Sequence, residues 1–353
     1  MVENAAIRIG VIDDISQERD GRYRMAIEAG IADVAESRGF DRAIELDYRF
    51  VRGLPWGTVH DVREAYRALT AEGVVAVLGP TITDNCVALR GLVDEIQVPC
   101  LTWPGSQQAR SEWMFQYQAG SLEDEPEIIA AYLASTGATR VAVVHDLAPT
   151  GRAMAHSFEG ASNRHGVTQA ARIGVPASGV GFREADLDEI ASVKPDAIVH
   201  LGMAAKPLGE ALLEHRWEIP VVCNIIASMA RNQPELLPLF EGWVYVDLES
   251  DSNETLARLR ARLGPGAPQG PRLVSGLDVG RLLAEAVERA DLLAPEGLKD
   301  GLEAIKVLPS AAGRPGTVMG FGRYDRAALK GSYLVLRRYV NGRSVEVDVG
   351  RAV

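Results

Sequence analysis

Polar residues that could bind a small molecule cluster in four short segments, each of which directly follows a predicted buried strand. The segments are residues 13–17 (Asp-Asp-Ile-Ser-Gln), 79–85 (Gly-Pro-Thr-Ile-Thr-Asp-Asn), 102–107 (Thr-Trp-Pro-Gly-Ser-Gln) and 145–151 (His-Asp-Leu-Ala-Pro-Thr-Gly). In open parallel α/β sheets, ligands bind outside the carboxyl ends of the strands. These four segments therefore predict where a binding site lies.

The first segment begins with adjacent acids, Asp13 and Asp14, a feature of the magnesium site of phospho-receiver domains. Such a site also requires an aspartate at the end of the third strand, where this chain has Gly79 and Pro80. The magnesium site is therefore disfavoured. The segment is predicted to line a ligand cleft instead.

The second segment combines a glycine with residues that favour the first turn of a helix. Gly79 lets the backbone approach a ligand closely. The N-terminus of the following helix offers unpaired N–H groups and partial positive charge to an anion. Two interpretations stay open: the segment binds a ligand, or Thr83 or Asp84 merely caps its own helix.

The third segment places a large aromatic ring, a hydroxyl and an amide close together, at Trp103, Ser106 and Gln107, around Gly105. Apolar surface with a few polar groups is the usual composition of a small-ligand site. The alternative is that Trp103 belongs to the hydrophobic core.

The fourth segment contains two possible metal ligands, His145 and Asp146. Adjacent residues of a strand point to opposite faces, and the other histidines are scattered along the chain, so no metal site is predicted. The chain also lacks a G-x-S-x-G elbow, a Walker loop and a G-x-G-x-x-G after the first strand. We therefore predict a binding protein without a cofactor rather than an enzyme.

Two series of alternating strands and helices position these segments. Strands are predicted at residues 7–12, 45–51, 74–78 and 99–102, then at 140–145, 167–175, 196–201 and 220–223. Helices are predicted at 23–36, 62–69 and 84–96, then at 125–135, 151–164, 184–193 and 204–216. This alternation predicts two doubly wound parallel sheets. In the tail, helices at 274–293 and 298–305 precede a hairpin over 331–349 that turns at Asn341 and Gly342.

Composition narrows the class of protein. A length of 353 residues suggests two domains, and a net charge of −11 argues against a nucleic-acid partner. Cys86, Cys100 and Cys223 are too widely spaced for a zinc site or a disulfide framework and are predicted to be small buried side chains.

No run of about 18 apolar residues exists, so direct membrane insertion is not expected. The first residues do not form a secretory leader, which predicts a cytoplasmic protein if Met1 is the native start, and a periplasmic one if a leader was removed.

Three stretches together resemble the type I periplasmic binding proteins, in the branch that binds leucine, isoleucine, valine and amides: residues 74–106, 140–151 and 197–202. The resemblance implies two Rossmann-like lobes with parallel sheets, joined by a three-strand hinge, that close on a ligand. It implies that lobe one takes residues 1–119 and 250–328. Lobe two would take residues 120–249 and 329–353.

The resemblance also implies ligand contacts. In the first lobe these fall at Thr83, at Gly105, Ser106 and Gln107, and at Asp14 or Ser16. In the second lobe the chain departs from the amino-acid binders, with Thr150, Met203 and Asn224 at the corresponding positions. These departures, together with Trp103, favour a less polar or aromatic ligand over an α-amino acid.

The leading hypothesis is a solute receptor of an ABC-type importer, which captures a small organic molecule in the cleft between the lobes by hinge closure and delivers it to an ABC permease. The ligand classes considered are an amino-acid-like molecule, an amide and an aromatic acid. The alternative is a cytoplasmic small-molecule sensor on the same fold that regulates a partner protein. A third possibility, an α/β enzyme, lacks a catalytic constellation.

Overall fold

The computed structural model describes residues 6–15, 21–39, 42–118, 120–177, 183–264 and 266–347. The chain divides into two compact units: unit 1 is Met1–Ala119 with Asp251–Tyr333, and unit 2 is Gly120–Ser250 with Leu334–Val353. The chain therefore passes between the units three times. The last passage comes after Tyr333 here and after residue 328 in the division that the resemblance implies.

The elements follow one another as alternating strands and helices. The strands are β1 (Ile7–Asp13), β2 (Ile44–Phe50), β3 (Ala76–Leu78), β4 (Cys100–Thr102), β5 (Met114–Gln116), β6 (Arg140–Asp146), β7 (Thr168–Val175), β8 (Ala197–Leu201), β9 (Val221–Cys223), β10 (Val244–Asp247), β11 (Leu308–Pro309), β12 (Val318–Met319), β13 (Leu329–Lys330), β14 (Val335–Val340) and β15 (Arg343–Glu346). The helices are α1 (Gly21–Arg38), α2 (Val59–Ala71), α3 (Thr83–Ile96), α4 (Asp124–Ser135), α5 (Pro149–Arg164), α6 (Glu184–Ser192), α7 (Ala205–Glu214), α8 (Leu237–Phe240), α9 (Glu254–Arg260), α10 (Pro271–Arg289) and α11 (Pro295–Ala304). Short 3₁₀ turns lie at Gln107–Ala109, Ile225–Arg231 and Pro234–Leu236.

The predicted α/β class and both series of strands are confirmed, with end points that differ by a few residues. The sequence patterns missed β5, β10, α9 and the three-stranded sheet of β11, β12 and β13. Most of these elements are two to four residues long, which is too short to show a periodicity.

Unit 1 is built on a sheet in the order β2-β1-β3-β4-β5, with every pairing parallel. The sequence of β1, IRIGVID, is buried along almost its whole length. A near-continuous apolar strand is expected where helices cover both faces of a parallel sheet. All strands of this sheet end at the same edge, where the first three predicted segments begin.

Helix α1 packs along α10 with very close backbones at two glycines. A Cβ atom at Gly30 would clash with the carbonyl oxygen of Leu277, and one at Gly280 with that of Ile27. Any other residue at either glycine would force the helices apart. The early and late segments of unit 1 thus share one core.

Unit 2 is built on a sheet in the order β15-β14-β10-β9-β8-β6-β7. Strands β6 to β10 pair in parallel, while β14 and β15 add antiparallel strands at one edge. Asn341 and Gly342 join β14 to β15 with positive φ angles of 52° and 70°. This is the backbone that a two-residue type I′ hairpin requires, so the predicted hairpin is confirmed over a narrower range.

The burial that the sequence predicts for the three cysteines is also confirmed. The cysteines at positions 86, 100 and 223 are buried, unpaired thiols. No helix among the described residues has the length and apolar character needed to span a membrane.

Candidate functional site

In unit 1, the loops that follow β1, β3 and β4 form the unit 1 loop cluster, defined as residues 13–15, 79–85 and 102–107. Its centre is the carboxylate of Asp14, which is only 3% exposed. Asp14 accepts hydrogen bonds from the backbone N–H of Thr81 (2.7 Å) and of Ile82 (3.1 Å), and from the side-chain amide of Asn85 (2.8 Å). Burial raises the pKa of Asp14 above its ordinary value, against the opposing effect of these bonds.

This arrangement corrects the expectation that Thr83 or Asp84 caps α3. The residue at the cap position is Ile82, which has no side-chain capping bond. The backbone donors before the helix bind Asp14, which comes from a different strand. The hydroxyl of Thr83 instead accepts from the backbone N–H of Gly105 (3.0 Å) and so ties the loop after β3 to the loop after β4.

The other predicted residues of the third segment take different positions. Trp103 is 3% exposed and contacts the edge of Tyr23, with ring centroids 5.6 Å apart. Its indole N–H is buried and has no hydrogen-bond partner among the described residues. Ser106 is buried and accepts from the N–H of Gln108 (3.2 Å), whereas Gln107 is exposed. Ser16 lies outside the described residues.

In unit 2, the loops that follow β6, β8 and β9 form the unit 2 loop cluster, defined as residues 145–151, 202–205 and 223–226. The carboxylate of Asp146 is fully buried and accepts from the N–H of Ala148 (3.1 Å) and of Met203 (2.7 Å). A Cβ atom at Gly151 or at Gly202 would clash with the carboxylate of Asp146. Glycine at both positions therefore makes room for the buried acid.

A second buried carboxylate of unit 2, Glu125, was missed by sequence reasoning. It accepts from the N–H of Ser121 (2.8 Å) and from that of Ile225 (2.7 Å) in the loop after β9. Burial raises the pKa of Glu125 to about 7, against the lowering effect of these two bonds. A Cβ atom at Gly120 would crowd the same carboxylate. Only the neighbouring Gly120 and Ser121 hint at this role in the sequence.

His200 lies in β8, and Asn224 lies in the loop that follows β9. The N–H of Asn224 donates to the carbonyl oxygen of His200 (3.1 Å), and both side chains are buried. Burial lowers the pKa of His200 to about 4, so its imidazole is neutral at pH 7. Thr150 stands in the first turn of α5, and Met203 is partly exposed.

His145 does not form a metal centre with Asp146. Its Nδ1 lies 2.8 Å from the carbonyl oxygen of Asp146. Burial lowers the pKa of His145, with a further lowering by the nearby Arg172 and Arg152. Within the part of the chain that the structure describes, no group of three or more histidine, cysteine, aspartate or glutamate side chains could hold a metal ion.

The structure therefore joins the predicted residues in two groups, one per unit. Asp14, Thr83 and Gly105 are linked in unit 1 through the loops after β1, β3 and β4. In unit 2, Asp146 links the loop that carries Thr150 to the loop that carries Met203. The long-range bonds of Asp146 and Glu125 join residues that are 57 and 100 positions apart along the chain.

Comparison with known proteins gives one family model and a set of similar structures. The model described as "Periplasmic binding protein" matches residues 6–212. No curated protein matches the chain.

The similar structures include substrate-binding proteins of ABC transporters. One from Desulfitobacterium hafniense, in complex with Leu, is 19% identical with a TM-score of 0.77, and the alignment covers 97% of this chain and 100% of that one. A leucine-binding protein from Thermotoga maritima is 17% identical with a TM-score of 0.77, over 97% and 98% of the two chains. A solute-binding protein from R. palustris, in complex with 4-hydroxybenzoate, is 16% identical with a TM-score of 0.77, over 98% and 96%. At these identities the similarity shows the fold alone.

Proposed function

Because the chain belongs to the type I periplasmic binding protein family, whose members are binding receptors and not enzymes, we propose that it is the solute receptor of an ABC-type importer. Its ligand is a small organic molecule, held at the carboxyl ends of the parallel strands of both units. Closure of the lobes around the ligand, which the resemblance implies, produces the form that an ABC permease recognises.

One observation carries this proposal: each unit has a polar loop cluster, held by hydrogen bonds to a buried acid, at the carboxyl ends of adjacent parallel strands. Asp14 fixes the cluster of unit 1, and Asp146 fixes that of unit 2. Open α/β sheets bind their ligands at this edge. Loops that are pinned before the ligand arrives lose less conformational entropy on binding.

We propose ligand contacts in both units, and they are listed here by unit. Unit 1 contributes Asp14, Ser16, Thr83, Trp103, Gly105, Ser106 and Gln107. Unit 2 contributes Thr150, Met203 and Asn224. Three of the similar structures support a small organic ligand, since their names include leucine and 4-hydroxybenzoate.

The first test is native mass spectrometry of the purified full chain, followed by denaturation and identification of any released compound. We expect one small molecule per chain, recovered chemically unchanged. A bound compound that is released as a reaction product would contradict the receptor function.

If the protein purifies empty, a thermal-shift screen of small organic molecules replaces the first test. The variant Thr83→Val should lose most of the ligand-induced shift, because it removes a hydroxyl within the unit 1 loop cluster. Thr70→Val is the matched control, since the hydroxyl of Thr70 bonds only to carbonyls of its own helix. Equal shifts for both variants would contradict a role of this cluster in binding.

A further inference from the structure

We infer that the 3₁₀ turn Ile225–Arg231, here named the coupling turn, links the loop after β9 to the three points where the chain enters or leaves unit 2. The coupling turn directly follows Asn224, one of the proposed ligand contacts. Its consequence for ligand capture rests on the proposed function. The coupling itself is a property of the chain alone and is measurable without a ligand.

The first residue of the coupling turn is tied to the first crossing, where the chain enters unit 2 at Gly120. The buried carboxylate of Glu125 accepts from the N–H of Ser121 (2.8 Å) and from the N–H of Ile225 (2.7 Å). A Cβ atom at Gly120 would lie 2.5 Å from a carboxylate oxygen of Glu125 and 3.3 Å from the side chain of Ile225. The entering backbone, the acid and the turn are therefore packed together without spare space.

The last residue of the coupling turn is tied to the second crossing, where the chain leaves unit 2 after Ser250. The guanidinium of Arg231 donates to the carboxylates of Glu249 (2.7 Å) and Asp247 (3.3 Å). The three side chains are at most 8% exposed, so solvent screens their attraction little. A guanidinium carries several donors in a fixed planar fork, which allows one residue to bind both acids.

The middle of the coupling turn is tied to the strand that follows the third crossing. The chain returns to unit 2 at Leu334 and continues as β14. The hydroxyl of Tyr339 in β14 donates to the carbonyl oxygen of Ala227 (2.8 Å). Arg337, in the same strand, donates to the carbonyl oxygen of Glu249 (2.9 Å) and joins the second crossing to the third. All three crossings are thus connected to one turn of seven residues.

These contacts form a continuous, mostly buried path from the loop after β9 to the crossings. Energetic coupling between separate sites is carried by packed and hydrogen-bonded networks of this kind. Closure of the lobes, which the resemblance implies, changes the backbone at a few residues where the chain crosses. A ligand that holds the loop after β9 therefore favours one arrangement of the crossings. Arg231 is a positioning residue in this device, because it acts through the turn rather than by contact with the ligand.

The test is hydrogen exchange of single backbone amides, measured by mass spectrometry on the full chain without added ligand. Arg231→Lys keeps the positive charge but loses the fork that binds two acids. We expect the N–H of Ile225, at the opposite end of the turn, to exchange about tenfold faster, as for a typical coupling between sites. The reference is the N–H of Val143 in β6, a buried strand between two others, which exchanges only when unit 2 unfolds.

A second variant tests the coupling in the other direction. Glu125→Gln removes one acceptor at the first crossing. Because coupling between two sites is reciprocal, the N–H of Glu249, which donates to Asp247 (2.9 Å), should also exchange about tenfold faster relative to Val143. A purely local role of Glu125 would change the exchange of Ser121 and Ile225 alone and would overturn the inference.

The matched control for the first variant is Arg281→Lys in unit 1. Arg281 is equally buried and also pairs with two acids, Asp33 (3.2 Å) and Asp278 (3.4 Å). The exchange of Ile225 should not change in this control. An equal change in both variants, or an equal acceleration of Ile225 and Val143 in Arg231→Lys, would reduce the effect to a loss of stability and overturn the inference.

Tyr339→Phe replaces the first variant if Arg231→Lys does not fold, because it removes only the hydroxyl that binds Ala227. Faster exchange at both Ile225 and Glu249 is expected, and unchanged exchange at both would overturn the inference. The outcome is distinct from that of the proposed function. A chain that shows the coupling but binds no small molecule contradicts the proposed function alone, whereas a chain that carries a ligand but lacks the coupling contradicts the inference alone.

Discussion

In both loop clusters a buried aspartate binds a neighbouring loop, but the residues around that aspartate differ between the units. In unit 1, Asp14 follows β1 and binds the loop after the neighbouring β3. In unit 2, Asp146 ends β6 and binds the loop after the neighbouring β8. Asp14 directs its backbone bonds to one loop, whereas Asp146 ties two loops and depends on adjacent glycines. The position of a buried acid between adjacent parallel strands is therefore shared by the units, while the local sequence around it is not.

Among the variants that test this difference between the units, Gly202→Ala should cause the largest loss in the free energy of unfolding. The new methyl group would clash with Asp146 at a φ of 122°, so we expect a loss of roughly 4 kcal/mol in the free energy of unfolding of unit 2, because overpacking and backbone strain each cost about 1–3 kcal/mol. Urea unfolding followed by hydrogen-exchange mass spectrometry resolves the two units. Gly166→Ala is the control, since Gly166 has a φ of 70° but open space around it, and should cost about 1 kcal/mol. Equal losses in Gly202→Ala and Gly166→Ala would mean that the carboxylate of Asp146 does not need the space that Gly202 leaves.

A pH titration tests the second acid of unit 2, which has no counterpart among the acids of the unit 1 cluster. The pKa of Glu125 is raised to about 7 from its ordinary 4.5, so the folded state keeps a proton that the unfolded state releases between these pH values. The contribution of Glu125 to the free energy of unfolding is therefore greatest below about pH 4.5. It falls by about 3 kcal/mol as the pH rises to about 7.

The measurement is the difference in unfolding free energy between wild type and Glu125→Gln from pH 4.5 to 8. Taking this difference removes the contribution of His200, which has the opposite sign below pH 6.5 and is present in both proteins. A difference that does not change with pH would show that Glu125 is ionised throughout.

Loss of the acid in unit 1 should have a smaller effect. Asp14→Asn keeps the shape of the side chain but loses one acceptor and the negative charge, and we expect a loss of about 2 kcal/mol in the free energy of unfolding of unit 1. Asp47→Asn, in a partly exposed ion pair, should lose less than about 1 kcal/mol. A smaller loss for Asp14→Asn than for Asp47→Asn would show that Asp14 does not hold the cluster together.

The smallest effect is expected from Thr83→Val, which removes the bond from Gly105 N–H to the threonine hydroxyl. We expect a loss of about 1 kcal/mol in unfolding free energy and faster hydrogen exchange at Gly105. Thr70→Val should leave the exchange at Gly105 unchanged. Unchanged exchange in both variants would show that Thr83 does not fix the loop after β4.

Most of the fold could be predicted from the sequence, because most strands and helices are marked by residues that lie close together along the chain. Strands such as β1 and β6 are short apolar runs between helical patterns, and the hairpin is marked by Asn341 and Gly342. By contrast, β5 and β10 owe their strand conformation to their neighbours in the sheet, since three or four residues carry no periodic signal.

The contacts within the site were less accessible, because they join distant parts of the chain. The four loops could be located from the ends of the strands. The capping of α3 by Asp14, 67 residues before Thr81, and the bond between Glu125 and Ile225, 100 residues apart, depend on tertiary structure. Sequence reasoning therefore located the loops. Of the two interpretations that it left open for the second segment, the one in which Thr83 or Asp84 caps α3 is wrong.

The close contact between α1 and α10 has a consequence for synthesis on the ribosome. Helix α1 cannot bury the face around Gly30 until Pro271–Arg289 has left the exit tunnel. At about 5–20 residues per second, this delay is on the order of tens of seconds. During this time the apolar face of α1 is exposed to chaperones and proteases. Unit 1 can complete its folding only after the late part of the chain has been synthesised.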